Sequence, residues 1–544
     1  MKRTRLSAAA TTVAAAIALA ACSSSGGTAS QTQAPNSHAA ASGSTGVSAA
    51  ACSGTPVTGG TLVTGRQNQT LSLNPHHTPG GWGDGEAMNL IYENLVKMDP
   101  TGKTSGIVPA IADKWTLAAD GLSYTFHIRT NAKFSNGDPV TGADIKYSLD
   151  QWSNPKVSDW ASFSTGYKST TVIDAKDVRI DLSATTGDFL YELAMAGALI
   201  LPAKLVQSQG NAFFNHPVGS GPFKLDTWNK GSSISFAKNT YYWQSGTPRL
   251  DQVVFKFISD DNTRVLALKG GQVKTIDSVP WTDLDSLEKT SGIAVDSFPT
   301  PSWILLSANQ KKPQFKDLKV RQALNTAIDR KAINDKIYGG RGTIPNSFLS
   351  KLHYDADAST VPPYEYDLSK AKQLMSESGF AKGFSATFEF PSGNPAFQSL
   401  AAVLQSEWKA VGVNLTLRPE DGATLNKNFT SGSYDLMIPY PNATADVPVP
   451  DEMAGLYGVP GPTDAFHSGW SDPSIAAMIT KFSQTPDDAS RAAQWPKIQA
   501  AMKDALPALN VLDLPLIKAR ANTVCDDVTS PIGYDTLLTA WVAK

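Results

Sequence analysis

Adjacent histidines and adjacent carboxylates are the residue pairs in this chain that could bind a metal or carry acid-base chemistry. His76 and His77 are neighbours, but neighbouring side chains of an extended segment point in opposite directions, so a shared metal site is the weaker interpretation. Asp260 and Asp261 stand directly before the helix-forming segment 262–269, and they are better explained as helix caps than as paired acids. Neither pair therefore predicts catalysis.

Motifs that mark enzymes are missing from the sequence. Residues 99–104 read DPTGKT, as at the end of a phosphate-binding loop, but the first glycine of that motif would fall at Lys97. The chain contains neither the G-x-S-x-G motif of serine hydrolases nor the H-E-x-x-H motif of zinc peptidases. We therefore expect a protein that is not an enzyme and needs no metal or cofactor, and a secreted hydrolase is the less favoured alternative.

Length and composition indicate a folded protein of several domains. The 544 residues suffice for two to four folding units. Hydrophobic residues make up 41% and charged residues 18% of the chain, which excludes a disordered or coiled-coil protein. The 47 basic and 49 acidic residues nearly cancel, so the charge balance excludes a protein that holds nucleic acid by bulk charge.

The N-terminus has the features of an export signal. Three basic residues precede an apolar stretch at 8–21, which is too short for a permanent membrane helix. Residues 19–22 read LAAC and resemble the lipobox of bacterial lipoproteins, in which the cysteine is acylated and becomes the new N-terminus. This resemblance implies a signal peptide at 1–21 and a lipid anchor, such as palmitate, on Cys22. An ordinary signal peptide with a chance cysteine is the alternative.

Residues 22–51 form the predicted tether. From 23 to 51 the chain is rich in Ser, Thr, Ala and Gly and carries no charge, and a flexible coil of this length reaches about 30 Å. Two further cysteines lie at the edges of the body, Cys52 and Cys525. In an oxidising compartment we expect these two cysteines to form a disulfide, and two free thiols are the alternative. A metal site is less favoured, because neither cysteine has a CxxC spacing or a nearby histidine.

Hydrophobic periodicity predicts a mixed α/β body. Residues 122–128 alternate between apolar and polar side chains, as in a half-buried strand, and His127 falls on the polar face as a solvated or hydrogen-bonded side chain. Thr141 and Asp144 have the spacing of a capping box that opens a helix.

A second region of the body begins after about residue 310. Asp317 should cap one helix, and a second should run over 367–379 and end at Gly379 in a left-handed conformation. A strand at 384–390, a helix opened by Asn394 and a strand at 413–417 then follow one another. This order predicts a parallel βαβ unit with a right-handed crossover.

Several strings resemble those of the family 5 extracytoplasmic solute-binding proteins of ABC importers, the group that includes oligopeptide-, dipeptide- and nickel-binding proteins. They are spread over nearly the whole chain: LNP at 73–75, IYENL at 91–95, VPAIADKW at 108–115, DGLSYTFHIR at 120–129, KFSNGDPVTGAD at 133–144, PVGSGPF at 217–223, NTYYW at 239–243 and DLKVRQALNTAIDR at 317–330.

The resemblance implies a two-lobed periplasmic-binding-protein type II fold with a ligand cleft between the lobes. Two chain crossings, expected near 306–310 and 510–514, would form the hinge. The implied division is lobe I at 52–305 with an extra subdomain at about 105–210, lobe II at 306–512, and a C-terminal segment at 513–544 that returns to lobe I.

The resemblance also implies a function and a set of partners. The chain would be a monomeric receptor on the outer face of the cell membrane, lipid-anchored through Cys22, which captures a small solute and delivers it to membrane permease subunits. It would bind no nucleic acid. An oligopeptide is the expected solute, and a sugar or another small solute is the alternative.

Family resemblance places four residues around the solute. In peptide-binding relatives an acid after a strand Y/F-D-L receives the α-amino group of the peptide; here YDL at 434–436 is present, but Asp446 lies about two residues late. Asp446 is thus expected either as the charged anchor or as a loop cap. Trp82, Trp303 and Tyr440 are expected as apolar walls, against the alternative of ordinary packing.

Overall fold

The computed structural model describes most of the chain after residue 54. The described residues are 55–99, 106–164, 166–298, 300, 302–347, 361–439, 443–444, 450–459, 467–530 and 532–543. All of them belong to one compact unit. No helix among the described residues is long and apolar enough to cross a membrane.

The described chain contains both strands and helices throughout its length, as the mixed α/β pattern of the sequence predicts. The strands are β1 Thr61–Arg66, β2 Val96–Met98, β3 Ile107–Pro109, β4 Ala112–Leu117, β5 Ser123–Ile128, β6 Tyr167–Val172, β7 Asp177–Leu182, β8 Phe223–Asn229, β9 Ser233–Lys238, β10 Gln252–Phe257, β11 Thr275–Ile276, β12 Ile293–Phe298, β13 Ser302–Ala308, β14 Phe384–Pro391, β15 Val413–Glu420, β16 Leu436–Met437, β17 Ala443–Thr444, β18 Leu509–Asp513, β19 Leu516–Ala521, β20 Val524–Cys525 and β21 Trp541–Val542. The helices are α1 Trp82–Ile91, α2 Gly142–Trp152, α3 Phe189–Glu192, α4 Ala203–Gln209, α5 Asp261–Lys269, α6 Leu284–Glu288, α7 Pro313–Lys316, α8 Leu318–Thr326, α9 Arg330–Ile337, α10 Leu368–Ser376, α11 Pro395–Lys409, α12 Gly422–Ser431, α13 Asp451–Gly458, α14 Pro473–Ser483 and α15 Asp488–Ala505.

Lobe I is built on a seven-stranded sheet in the order β12-β19-β11-β1-β10-β9-β8. β1 runs parallel to both β10 and β11, whereas the remaining pairs are antiparallel. Helix α5 begins at Asp260, whose side chain accepts a hydrogen bond from the Thr263 amide, so this acid is a helix cap as predicted. β19 comes from the C-terminal part of the chain and inserts into the sheet between β12 and β11.

Lobe II is built on a six-stranded sheet in the order β15-β14-β16-β13-β17, with β18 paired to β13. β14 and β15 are parallel and are joined by α11, which confirms the predicted βαβ unit. Trp408 of α11 is fully buried and donates its indole N–H to the Leu324 carbonyl of α8 at 3.0 Å. This contact holds two helices together on the core side of the sheet.

The extra subdomain is a four-stranded antiparallel sheet in the order β4-β5-β7-β6, covered by α2. β5 is the predicted half-buried strand, with Phe126 and Ile128 in the core, and His127 makes a 2.7 Å contact from Nδ1 to Asp177. Thr141 and Asp144 form the predicted capping box at the start of α2.

The chain passes between the two large sheets at two places. β12 belongs to the lobe I sheet and β13 to the lobe II sheet, so the first passage lies between Phe298 and Ser302, before the predicted 306–310. The whole of β13 therefore belongs to the lobe II sheet. The second passage lies at 514–515, between β18 and β19, and overlaps the predicted 510–514.

The predicted helix stop at Gly379 is wrong. Helix α10 ends at Ser376, with Glu377 in the right-handed conformation. Gly379 does not have a positive φ. Its amide instead donates to the Asp317 carboxylate at 2.8 Å, so a contact with a neighbouring helix start determines this turn.

Candidate functional site

Two of the residues expected around the cleft, Trp82 and Trp303, lie in the described part of the chain. Tyr440 and Asp446 lie outside the described residues, as do Cys22 and Cys52. Trp303 lies in β13 and is paired in register with Ala443 of β17. In the sequence β17 lies between Tyr440 and Asp446. The pairing therefore places a strand from the expected cleft segment next to Trp303.

The alternation of side chains along β13 gives Trp303 its surroundings. Ile304, Leu306 and Ala308 point into the core of lobe II, whereas Trp303 and Leu305 point to the other face of the sheet. All seven residues of the strand are buried, so both faces are covered. The strand therefore has one face for the core of lobe II and one for a second cluster.

We call this second group of side chains the interlobe cluster. It joins Trp303 and Leu305 to the subdomain and to helices α13–α15 of lobe II. Its buried members are Tyr191, Met195, Trp303, Leu305, Met453, Ala454, Tyr457, Trp470, Ile475, Ile479, Phe482, Trp495, Ile498, Met502 and Ala508. Trp160 packs both on this cluster and on the core of the subdomain, so it lies where the two meet.

Two tryptophans at the interlobe cluster carry unused hydrogen-bond donors. The Nε1 atoms of Trp160 and Trp303 are buried, and neither has a partner among the described residues. A buried N–H without an acceptor costs about 1–3 kcal/mol, so native proteins rarely retain one without a reason. An indole N–H can only donate, so a partner for either group must bring an acceptor oxygen or nitrogen.

His76 is a further buried polar side chain, and its segment lies beside the segment that contains Trp160. Its carbonyl accepts a hydrogen bond from the Asp159 amide at 2.9 Å, and its own amide donates to Asn74 Oδ1 at 3.0 Å. The imidazole is 3% exposed, and neither ring nitrogen has a partner among the described residues. Burial lowers the pKa of His76 to about 4, so the ring is neutral at physiological pH.

His77 has the opposite surroundings, although residues 74–77 form a turn rather than the expected extended segment. Its ring is largely exposed and lies 2.8 Å from Asp159, measured from Nδ1 to Oδ2. In the described part of the chain no group of three or more His, Cys, Asp or Glu side chains is placed to hold a metal ion. The two imidazoles therefore lie in different surroundings, one buried and one at the surface.

Trp82 lies apart from Trp303. It is the first residue of α1, is half-buried, and its ring centroid lies 4.5 Å from that of Tyr534. Tyr534 packs on a small cluster of Met98, Ala194 and Ile532, and Ile107 contacts both that cluster and the interlobe cluster. Ile107 thus connects the small cluster beside Trp82 and Tyr534 with the interlobe cluster that contains Trp303.

A buried network of charges lies behind Trp82 in lobe I. Arg66 pairs with Glu86 at 2.9 Å and with Asp535 at 2.6 Å, and Lys518 pairs with Asp535. Trp82 also hydrogen-bonds Glu86, and burial raises the pKa of Glu86 to about 6 against the opposing effect of Arg66. These ion pairs connect β1, α1, β19 and the C-terminal segment, which is a structural role.

A cavity of about 90 Å³ lies in lobe I beside this network. Among its lining residues are Lys97, Tyr242, Tyr534 and Asp535. The ammonium of Lys97 is bonded to Glu93 and to the Tyr242 hydroxyl, at 3.1 and 3.2 Å. Because these charged groups already have partners in the protein, the cavity does not require an ionic ligand.

The subdomain and lobe II touch at the edge of the interlobe cluster. The Gly187 amide donates to the Ser483 carbonyl at 3.0 Å, and the Thr185 hydroxyl donates to the Gln484 carbonyl at 3.0 Å. Both acceptors lie at the end of α14. These contacts hold the subdomain against lobe II and enclose the donors of the interlobe region.

The described residues thus bury three polar side chains without partners: two indole donors at the interlobe cluster and a neutral imidazole, which both donates and accepts. The backbone hydrogen bond between residues 76 and 159 joins the segment of the imidazole to the segment of Trp160. No sequence pattern indicated Trp160, and His76 was indicated only as a candidate metal ligand. The two segments meet through the hydrogen bond between residues 159 and 76, and no local pattern shows such a contact.

Comparison with known proteins adds a family match over most of this region. The sequence profile of the bacterial extracellular solute-binding proteins, family 5 (middle region), matches residues 106–464. This match covers more than half of the chain, including the subdomain and most of lobe II.

Individual relatives agree with this match. The glutathione-binding protein GsiB of Escherichia coli is 31% identical over 339 residues, an alignment that covers 61% of this chain and 64% of that relative. The solved structure of the periplasmic binding protein DppA from Helicobacter pylori, in complex with the peptide STSA, is similar with a TM-score of 0.78. It is 25% identical and covers 90% of this chain and 99% of its own. CtaP from Listeria monocytogenes, 23% identical over 90% of this chain and all of its own, has the same fold with a TM-score of 0.79.

Proposed function

The chain belongs to family 5 of the bacterial extracellular solute-binding proteins, and from this premise we propose that it is the solute receptor of an ABC importer. It captures a small solute between lobe I and lobe II and presents it to the membrane permease. Closure of two lobes around a solute excludes water and strengthens polar contacts, and reopening releases the cargo. This function requires no covalent chemistry.

The buried, unpartnered donors of Trp160 and Trp303 are the observation that carries the proposal. Both lie at the interlobe cluster, where lobe II meets the subdomain. A solute that brings acceptor oxygens to this region would relieve the cost of the two unsatisfied N–H groups. The enclosure thus favours binding of a molecule with several carbonyl, carboxylate or hydroxyl oxygens.

We propose a short peptide as the solute. Peptide carbonyl and carboxylate oxygens are suitable acceptors for indole N–H groups. The name of one relative refers to glutathione, and the solved DppA complex contains the peptide STSA. A sugar is the alternative candidate, because aromatic side chains also stack on sugar rings.

The remaining expected site residues complete this proposal. Asp446 would receive the ammonium group of the peptide through a charge-assisted hydrogen bond. Trp82, Trp303 and Tyr440 would form apolar walls. The pairing of β13 with β17 supports a position near Trp303 for the segment that contains Tyr440 and Asp446.

The proposal includes a location and partners. Acylation of Cys22, for example with palmitate, would anchor the protein as a monomer to the outer face of the cell membrane, with residues 22–51 as the tether. The permease subunits of the importer would be its protein partners. Lobe I, lobe II and the C-terminal return to lobe I would act as one receptor body.

Titration calorimetry with glutathione and with the peptide STSA tests this proposal. Trp303→Phe keeps an aromatic ring but removes the indole donor, so we expect binding to weaken by about tenfold while the unbound protein keeps its stability. Asp446→Asn should weaken peptide binding by about ten- to a hundredfold, because it removes one charge-assisted contact.

Trp152→Phe is the matched control. Trp152 is also buried with an unpartnered Nε1, but it lies in the core of the subdomain, so its replacement should leave affinity unchanged. Mass spectrometry of the solute retained after native purification identifies other ligands. If the wild-type protein retains no solute and binds neither peptide, the proposed function is wrong.

A further inference from the structure

His76 has an environment that a purely structural histidine seldom has. Its side chain is 3% exposed, and both ring nitrogens lack a hydrogen-bond partner among the described residues. A core histidine normally gives its N–H to a carbonyl or carboxylate, because an unsatisfied buried group is costly. Nothing in the described surroundings of His76 relieves that cost.

Hydrogen bonds on both sides of His76 fix the backbone of its turn. The His76 amide donates to Asn74 Oδ1, and its carbonyl accepts from the Asp159 amide. The next amide, that of His77, donates to the Asn74 carbonyl at 3.0 Å. The turn thus has an ordered main chain, whereas the buried ring that it carries has no partner for either nitrogen among the described residues.

The turn of His76 lies against the segment that supplies Trp160. The hydrogen bond from the Asp159 amide joins the two segments, and Trp160 follows directly in the chain. Trp160 packs on the interlobe cluster and has its own unpartnered Nε1. Two segments that each carry an unpartnered polar side chain are therefore joined by a backbone hydrogen bond, and one of these side chains, Trp160, packs on the interlobe cluster.

We propose that His76 is a solute-binding residue that recognises an amide group, donating from one ring nitrogen to its carbonyl oxygen and accepting its N–H at the other. This inference rests on the proposed function and names a contact within it. A neutral imidazole has one donor and one acceptor, the same complement that a peptide bond presents. An uncharged ring also requires no counter-charge in the closed enclosure.

Isothermal titration calorimetry of the full-length protein with glutathione and with the peptide STSA tests the contact, using three variants. His76→Leu fills a similar space without polar atoms, and we expect its affinity to fall about ten- to a hundredfold. His76→Gln restores one donor and one acceptor and should recover part of the loss. His77→Leu is the matched control, because its largely exposed ring faces Asp159, and it should bind as the wild type does.

The melting temperature without solute separates a binding role from a structural one. Removal of two unsatisfied buried nitrogens should leave the melting temperature of His76→Leu unchanged or higher, although binding is weaker. If that variant folds poorly, the ring ¹⁵N shifts of His76 in the wild-type protein replace it as the test. We expect both shifts to change on saturation with glutathione or STSA, and unchanged shifts would overturn the inference.

The outcomes distinguish this inference from the proposed function. Equal affinity of wild type and His76→Leu rejects the role of His76 and leaves the receptor function standing. If neither peptide binds, the solute retained after native purification is compared between the wild type and His76→Leu. Lower retention by His76→Leu supports the contact with His76 but rejects a peptide as the solute. Equal retention rejects the contact. Absence of any bound solute from the wild type rejects both.

Discussion

His76 and His77 are identical side chains on adjoining residues, and the fold gives them opposite surroundings. His76 is enclosed and lacks polar partners, whereas His77 is largely exposed beside Asp159. Both residues belong to the turn that the hydrogen bond from the His77 amide to the Asn74 carbonyl closes, and this turn buries the first ring and leaves the second at the surface. Protonation of a buried imidazole costs free energy because it places a charge away from water, whereas an exposed imidazole stays hydrated. The two residues should therefore respond differently to acid.

The first prediction is that acid weakens the folded state through His76. The pKa of His76 is about 4 in the folded protein, against 6.5 for an ordinary histidine. Between these values the unfolded chain binds the extra proton, so stability rises with pH from 4 to 6.5 and is lost as pH falls through that window. The contribution amounts to about 3 kcal/mol at most.

Urea unfolding at pH 7, 5.5 and 4.5 measures this effect. Other groups also titrate in this range, so the informative quantity is the difference between wild type and His76→Leu, which should grow in favour of the variant as pH falls. His77→Leu should follow the wild type. Parallel pH dependence of wild type and His76→Leu would show that His76 does not carry the effect.

Gly187 shows how a loop in the subdomain can control contact with a helix in lobe II. Its amide donates to the Ser483 carbonyl, and a Cβ built on Gly187 would lie 2.5 Å from the Thr485 carbonyl and would collide with the Arg491 guanidinium. No L-amino acid other than glycine fits this approach without movement. The subdomain and the chain at the end of α14 therefore touch through backbone atoms, and the Arg491 side chain of α15 packs against the same glycine.

The second prediction is that Gly187→Val separates the subdomain from lobe II. We expect a larger radius of gyration by small-angle X-ray scattering and weaker binding of glutathione or STSA, because the closed state becomes less populated. Gly422→Val is the control, since a Cβ at Gly422 meets no atom within 4 Å. A radius and affinity equal to those of the wild type would mean that the loop yields without opening the lobes.

Local signals along the sequence predicted many elements correctly. The capping box of Thr141 with Asp144 and the alternation along β5 depend on residues only a few positions apart, and the structure has both. The expected helix end at Gly379 is wrong because the Gly379 amide donates to Asp317, the residue that caps helix α8. The residues around Gly379 in the sequence do not indicate so distant a hydrogen-bond partner.

The candidate site was harder to predict for the same reason. Family resemblance alone suggested Trp303, and its role at the cleft stays a prediction; the structure shows that it is buried and paired with Ala443. His76 and Trp160 become candidates only in the folded chain, where residues 76 and 159 are hydrogen-bonded. There the His76 ring nitrogens and Trp160 Nε1 are buried and have no partner among the described residues. Burial and unsatisfied polarity are properties of the folded chain, so periodicity and motifs do not show them.

At the scale of the molecule, the C-terminal part of the chain closes lobe I. β19 inserts into the seven-stranded sheet, and β20 pairs with β21 near the end of the chain. Cys525 of β20 is buried and disulfide-bonded, and its partner is not among the described residues. A covalent bond in this segment would fasten the last strands to another part of the protein.

The third prediction concerns attachment of the whole body to the membrane. If Cys22 is acylated, wild-type protein should sediment with membranes, and protease treatment of intact cells should release a soluble body that begins near residue 50. Cys22→Ala should instead appear in the soluble fraction, and Ser23→Ala should behave as the wild type. Cys22→Ala protein that remains firmly in the membrane fraction would contradict the anchor.

The last prediction is that Cys525 pairs with Cys52 and ties the end of the tether to lobe I. The chain has three cysteines, and an acylated Cys22 would leave Cys52 as the partner within the same chain. Such a bond closes a loop of several hundred residues and could stabilise the folded state by up to about 5 kcal/mol in the chain-entropy model. Reductant and Cys525→Ser should each lower the melting temperature of the wild type, and reductant should have no further effect on Cys525→Ser. Peptide mapping without reduction should yield one linked peptide with both cysteines, and alkylation of both thiols in the folded protein would show that they are free.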